Sequence, residues 1–274
     1  MKSPRILLAA LCALLFAVAA QAAAEPAETL VVYGDARTQH DMHRKIVGHI
    51  LTFRPRAVFS TGDQVNDGRI QGEWAVFNEI IAPILETSRF YPLLGNHERN
   101  AELYFKNFRL PGNERWYAVR QGPIQFFMLD SNGRIGPGSS QHAWLEKELQ
   151  GVPKAVKFVA ILFHHPVISS GPYPDEKNLR KRLLPLLEKY GVDIVFVGHE
   201  HVYERSFKEG VTHVTTGGGG APLHLKLRHN PYGQVFASVH HFCVLRVAGR
   251  TLEVRAYDMD MALIDEFRIK SKRQ

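Results

Sequence analysis

Six residues of this chain have side chains that could hold a cation, and each stands just past an apolar run. Residues 30–33 run into Gly34-Asp35, residues 57–61 into Gly62-Asp63, and residues 91–94 into Gly95-Asn96-His97-Glu98. Residues 159–163 run into His164-His165, and residues 194–197 into Gly198-His199-Glu200-His201. Two carboxylates, one amide and three imidazoles, with no thiolate, suit borderline divalent cations such as Mn, Fe, Zn or Co. Taken singly, each has an ordinary meaning: Gly-Asp after a strand is a common turn, and a lone histidine is usually a satisfied polar residue. Turns alone do not explain six donors at five successive run ends. The glycines before Asp35, Asp63, Asn96 and His199 permit tight turns and close approach of backbone to a ligand. One zinc motif is excluded, because His97-Glu98-Arg99-Asn100-Ala101 has no second histidine four residues on.

The elements that must position these residues follow from the same runs. Continuous apolar stretches of four or five residues read as strands buried on both faces. Between them lie helical stripes: Met42, Ile46, Val47, Ile50 and Leu51; Trp74, Phe77, Ile80 and Ile81; Leu179, Leu183, Leu186, Leu187 and Tyr190, tolerating Pro185. Helices between buried strands imply right-handed crossovers and largely parallel strands, whose carboxyl ends share one edge. Asp35, Asp63, Asn96, His164, His199 and His201 are therefore expected to converge. Further on, residues 243–247 and 252–257 alternate about Ala248-Gly249-Arg250 and read as a hairpin, with residues 263–269 as another strand; these are expected to finish a second sheet.

Gly62-Asp63, Gly95-Asn96-His97-Glu98, His164-His165-Pro166 and Gly198-His199-Glu200-His201 resemble, in order, the motifs of calcineurin-like metallophosphoesterases. Leu129-Asp130-Ser131, Gln141-His142-Ala143-Trp144-Leu145 and His201-Val202-Tyr203-Glu204-Arg205 look most like the purple acid phosphatase branch. The resemblance runs from Val31 to about Gly220. It implies an α/β fold, a two-sheet β-sandwich flanked by helices in α/β/β/α layers. It also implies two divalent ions (Mn, Fe or Zn), with Asp63 bridging them. Asn96, His164 and His199 would complete one ion, and Asp35 and His201 would hold the other. A metal-bridging hydroxide would attack phosphorus in line, hydrolysing phosphate mono- or diesters. His97 would be general acid for the leaving alkoxide, oriented by Glu98 or another carboxylate.

Two positions depart from that pattern. Many such proteins carry histidine two residues after the first aspartate, where this chain has Arg37. The purple enzymes place tyrosine three residues after the second aspartate, where this chain has Asn66. Arginine stays protonated and cannot ligate a cation. Three readings of the missing ligand are open. Asn66 can coordinate through its amide oxygen, His43 can point inward from the first turn of its helix, or the first ion is held loosely. With no tyrosine at 66, an Fe(III) charge-transfer colour is not expected. Arg37 itself suits a bidentate clamp on phosphoryl oxygens, or an ion pair with Asp35 or Asp67 that fixes the loop.

Composition bounds the remainder. In a chain of 274 residues, Lys2 and Arg5 precede an apolar run over 6–20 followed by small residues, the layout of a signal peptide over 1–24 with cleavage after Ala22 or Ala24. The run falls short of the ~20 residues of a spanning helix. A secreted or periplasmic domain over 25–274 is expected, with no membrane attachment after cleavage. Only Cys243 then remains, so no internal disulfide forms. The net charge of +7 is scattered rather than gathered into a nucleic-acid stripe, so no nucleic acid partner is indicated and a phosphoester small molecule is the expected substrate. Gly217-Gly218-Gly219-Gly220 lacks the lysine of a nucleotide loop and allows close backbone approach. Tyr203 is open between lining the site and the core; His224, His229, His240 and His241 are assigned no role. A phosphate- or partner-binding module without turnover is the competing class.

Overall fold

Strand β1 (Leu30–Tyr33) is followed by α1 (His40–Thr52), β2 (Ala57–Ser60), α2 (Gln71–Thr87), β3 (Arg89–Pro92) and α3 (Glu102–Asn107). A hairpin, β4 (Tyr117–Gln121) and β5 (Ile124–Met128), leads into α4 (Ser140–Gln150), β6 (Phe158–Leu162), α5 (Lys177–Lys189) and β7 (Ile194–Val197). Six strands end the chain: β8 (Tyr203–Lys208), β9 (Val211–Thr216), β10 (Gly233–Ala237), β11 (His241–Ala248), β12 (Thr251–Asp258) and β13 (Leu263–Lys270). This computed structural model describes residues 28–173 and 177–273; the leader expected over 1–24 lies outside them.

The strands form two mixed sheets. One has the order β13-β12-β11-β1-β2-β3, the other β10-β8-β9-β7-β6-β5-β4. In the first, β1, β2 and β3 run parallel; in the second, β5, β6, β7 and β9 do. Alternation along β1 explains its unbroken apolar sequence. Leu30 and Val32 face the other sheet, while Val31 and Tyr33 face helices α1 and α2. Strand β6 does the same, with Phe158, Ala160 and Leu162 between the sheets and Val159 and Ile161 under α4 and α5. Between the sheets Phe59 and Phe126 stack at 4.1 Å, joining β2 to β5. The result is four layers, α/β/β/α.

Two expectations need correction. The hairpin β11–β12 and strand β13 extend the first sheet, not the second: β11 lies antiparallel on β1, with Val31 opposite Val244. Strand β1 has only β2 on its other side, and β11 satisfies the edge that would otherwise be open. Met42 is 39% exposed and stands outside the α1 stripe; the buried face is His43, Ile46, Val47 and Ile50. Those four sit at helical spacing from residue 43, so the polar residue is the one turned inward. Cys243 is buried and free, and Tyr203 is a core residue whose hydroxyl donates to Asp265 Oδ2 at 2.7 Å.

His213 on β9 and His241 on β11 are buried, and burial lowers each imidazole to about 4. An unfolded histidine titrates near 6.5, so below that pH the unfolded chain binds protons the fold refuses. Their contribution is complete above pH 6.5, is lost as pH falls toward 4, and then levels off. Each is worth roughly 3 kcal/mol over that window. Urea unfolding of His213→Gln should therefore show a flatter dependence between pH 6.5 and 4 than the parent chain; an unchanged slope would remove His213 from the account.

Candidate metal centre

The six donors come from both sheets. Asp35, Asp63 and Asn96 follow β1, β2 and β3; His164 follows β6, and His199 and His201 follow β7. All lie at carboxyl ends of parallel strands, where the seam between the sheets opens. Three of them hold left-handed backbone: Asp35 at φ 56°, Asp63 at φ 54° and His199 at φ 68°. That conformation is disfavoured for residues with a Cβ and recurs where surrounding contacts impose it. The Asp35 amide donates to the Gly62 carbonyl at 2.9 Å, the Ala36 amide to the Asp63 carbonyl at 3.0 Å, and the Gly198 amide to the His164 carbonyl at 3.0 Å. The His199 amide reaches across to Asp35 Oδ2 at 3.0 Å. Glycine is required beside them: a Cβ at Gly95 would run into Asp63 Oδ1, and one at Gly198 into Asp35 Oδ2.

Beneath the turns lies Glu98, fully buried. Its carboxylate accepts the amides of Gly95 at 2.6 Å, Gln64 at 2.8 Å and Asp63 at 3.0 Å. Burial, reinforced by the Asp63 carboxylate, pushes Glu98 up to about 8 against the pull of those amides. Glu98 therefore ties the β2 turn to the β3 turn and does not orient His97 through its side chain.

Tautomers on one side of the centre follow from neighbouring carbonyls. His164 Nδ1 lies 2.9 Å from the Thr61 carbonyl oxygen, which can only accept, so Nδ1 carries the proton and Nε2 keeps its lone pair. That Nε2 faces Asn96 Oδ1 at 2.9 Å, His199 Nδ1 at 3.3 Å and Asp63 Oδ1 at 3.4 Å; Asn96 Oδ1 lies 3.0 Å from His199 Nδ1. Ligands ~2.0–2.2 Å from a shared ion stand about 3–3.6 Å from one another, and the spacings around His164 Nε2 are close to that range. Burial lowers both His164 and His199, the latter to about 3, so both rings stay neutral and able to ligate. The residues fit a divalent cation.

The other side differs. His201 Nδ1 donates to the Pro222 carbonyl at 2.6 Å, leaving Nε2 to face Asp35 Oδ1 at 3.5 Å. Arg37 lies among the same atoms: Nη2 donates to His201 Nε2 at 3.5 Å and Nη1 to Asn66 Oδ1 at 3.4 Å. Its Nε is 3.5 Å from Asp63 Oδ2, buried and without a hydrogen-bond acceptor of its own. The ion pair is thus with Asp63; Asp67, one of the two partners expected, is taken by Arg69. His43 stands apart. Its Nε2 is 3.1 Å from the Tyr33 hydroxyl, its ring stacks on Phe77 at 5.5 Å, and burial lowers it to about 3. Among the described residues it joins neither cluster of donor atoms.

His97 borders the centre with Nε2 3.9 Å from Asp63 Oδ2, while Nδ1 donates to the Asn66 carbonyl at 2.6 Å. A backbone carbonyl, not a carboxylate, sets its tautomer. Sequence reasoning passed over His165, whose ring nitrogen groups with His164 and His199 and whose Nδ1 is 2.8 Å from Ser131 Oγ. That hydroxyl accepts the amides of His164 at 3.2 Å and His165 at 3.0 Å, which gives Leu129-Asp130-Ser131 its purpose. His224 was also passed over: it stacks on His201 at 4.0 Å and contacts Glu200 Oε2 at 3.0 Å. Tyr173 leans on His199 at 4.6 Å. No local pattern marks either residue. Beside the centre a cavity of about 370 Å³ is walled by Ser131, His165, Asn132, Arg134, Asn178 and Arg182.

The description "calcineurin-like phosphoesterase" belongs to the family that matches residues 29–203. The chain belongs to that family. Purple acid phosphatase 18 of Arabidopsis thaliana is 26% identical to this chain over 217 residues, 70% of this chain and 49% of the relative. The chain thus spans about half the length of that curated relative. A purple acid phosphatase from yellow lupin seeds, Lupinus luteus, shares the fold with a TM-score of 0.82 at 22% identity over 89% of this chain and 54% of that one. GAP50, described as the anchor in the inner membrane complex of Plasmodium, shares it at 0.77 and 17% identity, over 91% and 90%.

Replacing Glu98 by alanine strands at least three buried amides, at about 1–3 kcal/mol each. Glu98→Ala should lose at least about 3 kcal/mol in urea unfolding. It should also weaken divalent-ion affinity about 10–100-fold by calorimetry, as outer partners of ligands do. Parent-like affinity would dissociate Glu98 from the centre.

Proposed function

We propose that the chain hydrolyses phosphate mono- or diesters with a divalent cation, Mn, Fe(II) or Zn. The observation that carries this is the gathering of Asn96 Oδ1, His199 Nδ1 and Asp63 Oδ1 within 3.4 Å of His164 Nε2, with His97 Nε2 bordering Asp63. When bound, the cation supplies Lewis acidity: it lowers the pKa of water and neutralises charge on phosphoryl oxygens. Every other contribution comes from the chain. Asp63, Asn96, His164 and His199 hold the cation, with Asp35 and His201 completing the seam. Arg37 presents its planar fork to the phosphoryl oxygens, stabilising charge as it develops. His97 keeps Nδ1–H on the Asn66 carbonyl and delivers a proton from Nε2 to the leaving oxygen. The remainder of the substrate faces the cavity carrying Arg134 and Arg182, which favours a small anionic group.

Lys2 and Arg5 ahead of the apolar run over 6–20, the layout of a signal peptide over 1–24, support a secreted or periplasmic setting, and no helix among the described residues is long and apolar enough to cross a membrane. A second reading, a phosphate- or partner-binding module, draws on Arg37 standing against His201, where a second cation was expected, and on the anchor that shares the fold.

An assay with p-nitrophenyl phosphate, its bis-ester and an alkyl phosphate, titrated with divalent metals, separates the two. Turnover should require metal and be lost in Asn96→Ala. His97→Ala should cost about 10²–10⁴-fold on the alkyl ester and less on nitrophenolate, which departs without a proton. No turnover with any metal, or unchanged rates in both variants, would leave the binding module as the answer.

A further inference from the structure

We propose that this phosphoesterase holds one divalent cation per chain, and that the Arg37 guanidinium permanently takes the place of the second. The inference rests on the reading above that Asp63, Asn96, His164 and His199 bind a cation.

The geometry of Arg37 carries it. Its three nitrogens each face a different group on the far side of the centre: Nη2 to His201 Nε2, Nε to Asp63 Oδ2 and Nη1 to Asn66 Oδ1, all at 3.4–3.5 Å. His201 has one lone pair to give, because Nδ1–H is committed to the Pro222 carbonyl, and an Arg37 N–H points at it. A metal on that nitrogen would have to displace the guanidinium. Asn66, the alternative ligand, has its amide oxygen occupied by the same side chain. His43, the other alternative, is turned toward Tyr33 and Phe77.

Charge points the same way. Among the described residues, Asp35 and Asp63 are the acidic side chains whose oxygens group with a nitrogen of His164. One divalent cation and one guanidinium exceed the two carboxylates by a single positive charge, which a phosphoryl group balances. Two cations beside a guanidinium would leave an excess of three in a mostly buried seam, where like charges repel strongly. The substrate would then lie between a metal on the β6–β7 side and a planar fork on the β1 side. Unlike a loosely held ion, the fork cannot be lost to a chelator.

The test counts ions. Full-length protein is stripped with chelator, titrated with Mn(II) or Zn(II), and read by calorimetry and plasma mass spectrometry. The parent chain should bind one ion tightly; Asn96→Ala should lose it and Asp35→Asn should keep it. Arg37→Ala and Arg37→His should bind two, and the Mn(II) resonance should change from an isolated ion to a coupled pair. Two tight ions on the parent chain, or one in both Arg37 variants, would overturn the replacement while leaving the metal reading intact. Loss of the ion in Asp35→Asn with retention in Asn96→Ala would also overturn it, and that comparison remains if the Arg37 variants do not fold. No ion on the parent chain would overturn the metal reading itself.

Discussion

Lone pairs facing one another across a nearly dry seam are the constraint on which this molecule is built. Asn96 Oδ1 and the unprotonated His164 Nε2 are both acceptors, held 2.9 Å apart, with an Asp63 oxygen and His199 Nδ1 close by. Such groups do not settle together unaided; something outside each pair must force them. Carbonyls of Thr61 and Pro222 fix two of the imidazoles by taking their protons. Left-handed turns aim Asp35, Asp63 and His199, and amides answer the carboxylates from behind. Buried donor atoms of this kind require positive charge, and the chain supplies one unit of it in Arg37.

The two sheets divide the labour. The turns after β1, β2 and β3 bring oxygen donors, and those after β6 and β7 bring nitrogen. Neither sheet alone brings all six candidate donors together, so they meet only where the sheets are docked through residues such as Phe59 and Phe126. Glu98 works within the first sheet's turns, Ser131 within the second's. Ligand geometry thus inherits its rigidity from the inter-sheet core.

What the sequence disclosed, and what it withheld, divides along physical lines. Strands buried on both faces announce themselves as unbroken apolar runs, so the ends of β1, β2, β6 and β7 and the donors beyond them were legible. His43 was correctly placed inward by helical spacing, though its neighbour Met42 was not. Pairing partners were not legible: the hairpin β11–β12 carries no mark saying which sheet it extends, since either has an apolar edge to offer. The orienter of His97 was missed because it is a carbonyl, which every residue has. Tyr173 and His224 reach the centre from loops with no period at all. Arg37 was conspicuous as a departure, yet its reach to three separate turns depends on a side-chain path that only coordinates describe.

Strand β1 contributes Asp35 and sits at the middle of its sheet, yet its antiparallel neighbour β11 comes almost at the end of the chain. The region that matches the family stops at residue 203, before that neighbour begins. During synthesis β1 is made well before β11, and its outer edge stays unpaired until residues 241–248 have followed. Contacts so distant in sequence form slowly, because the loop they close must be ordered first. The strand that bears Asp35 is therefore completed by one that belongs to no recognisable motif, and the motif-bearing segment is less than the folded unit.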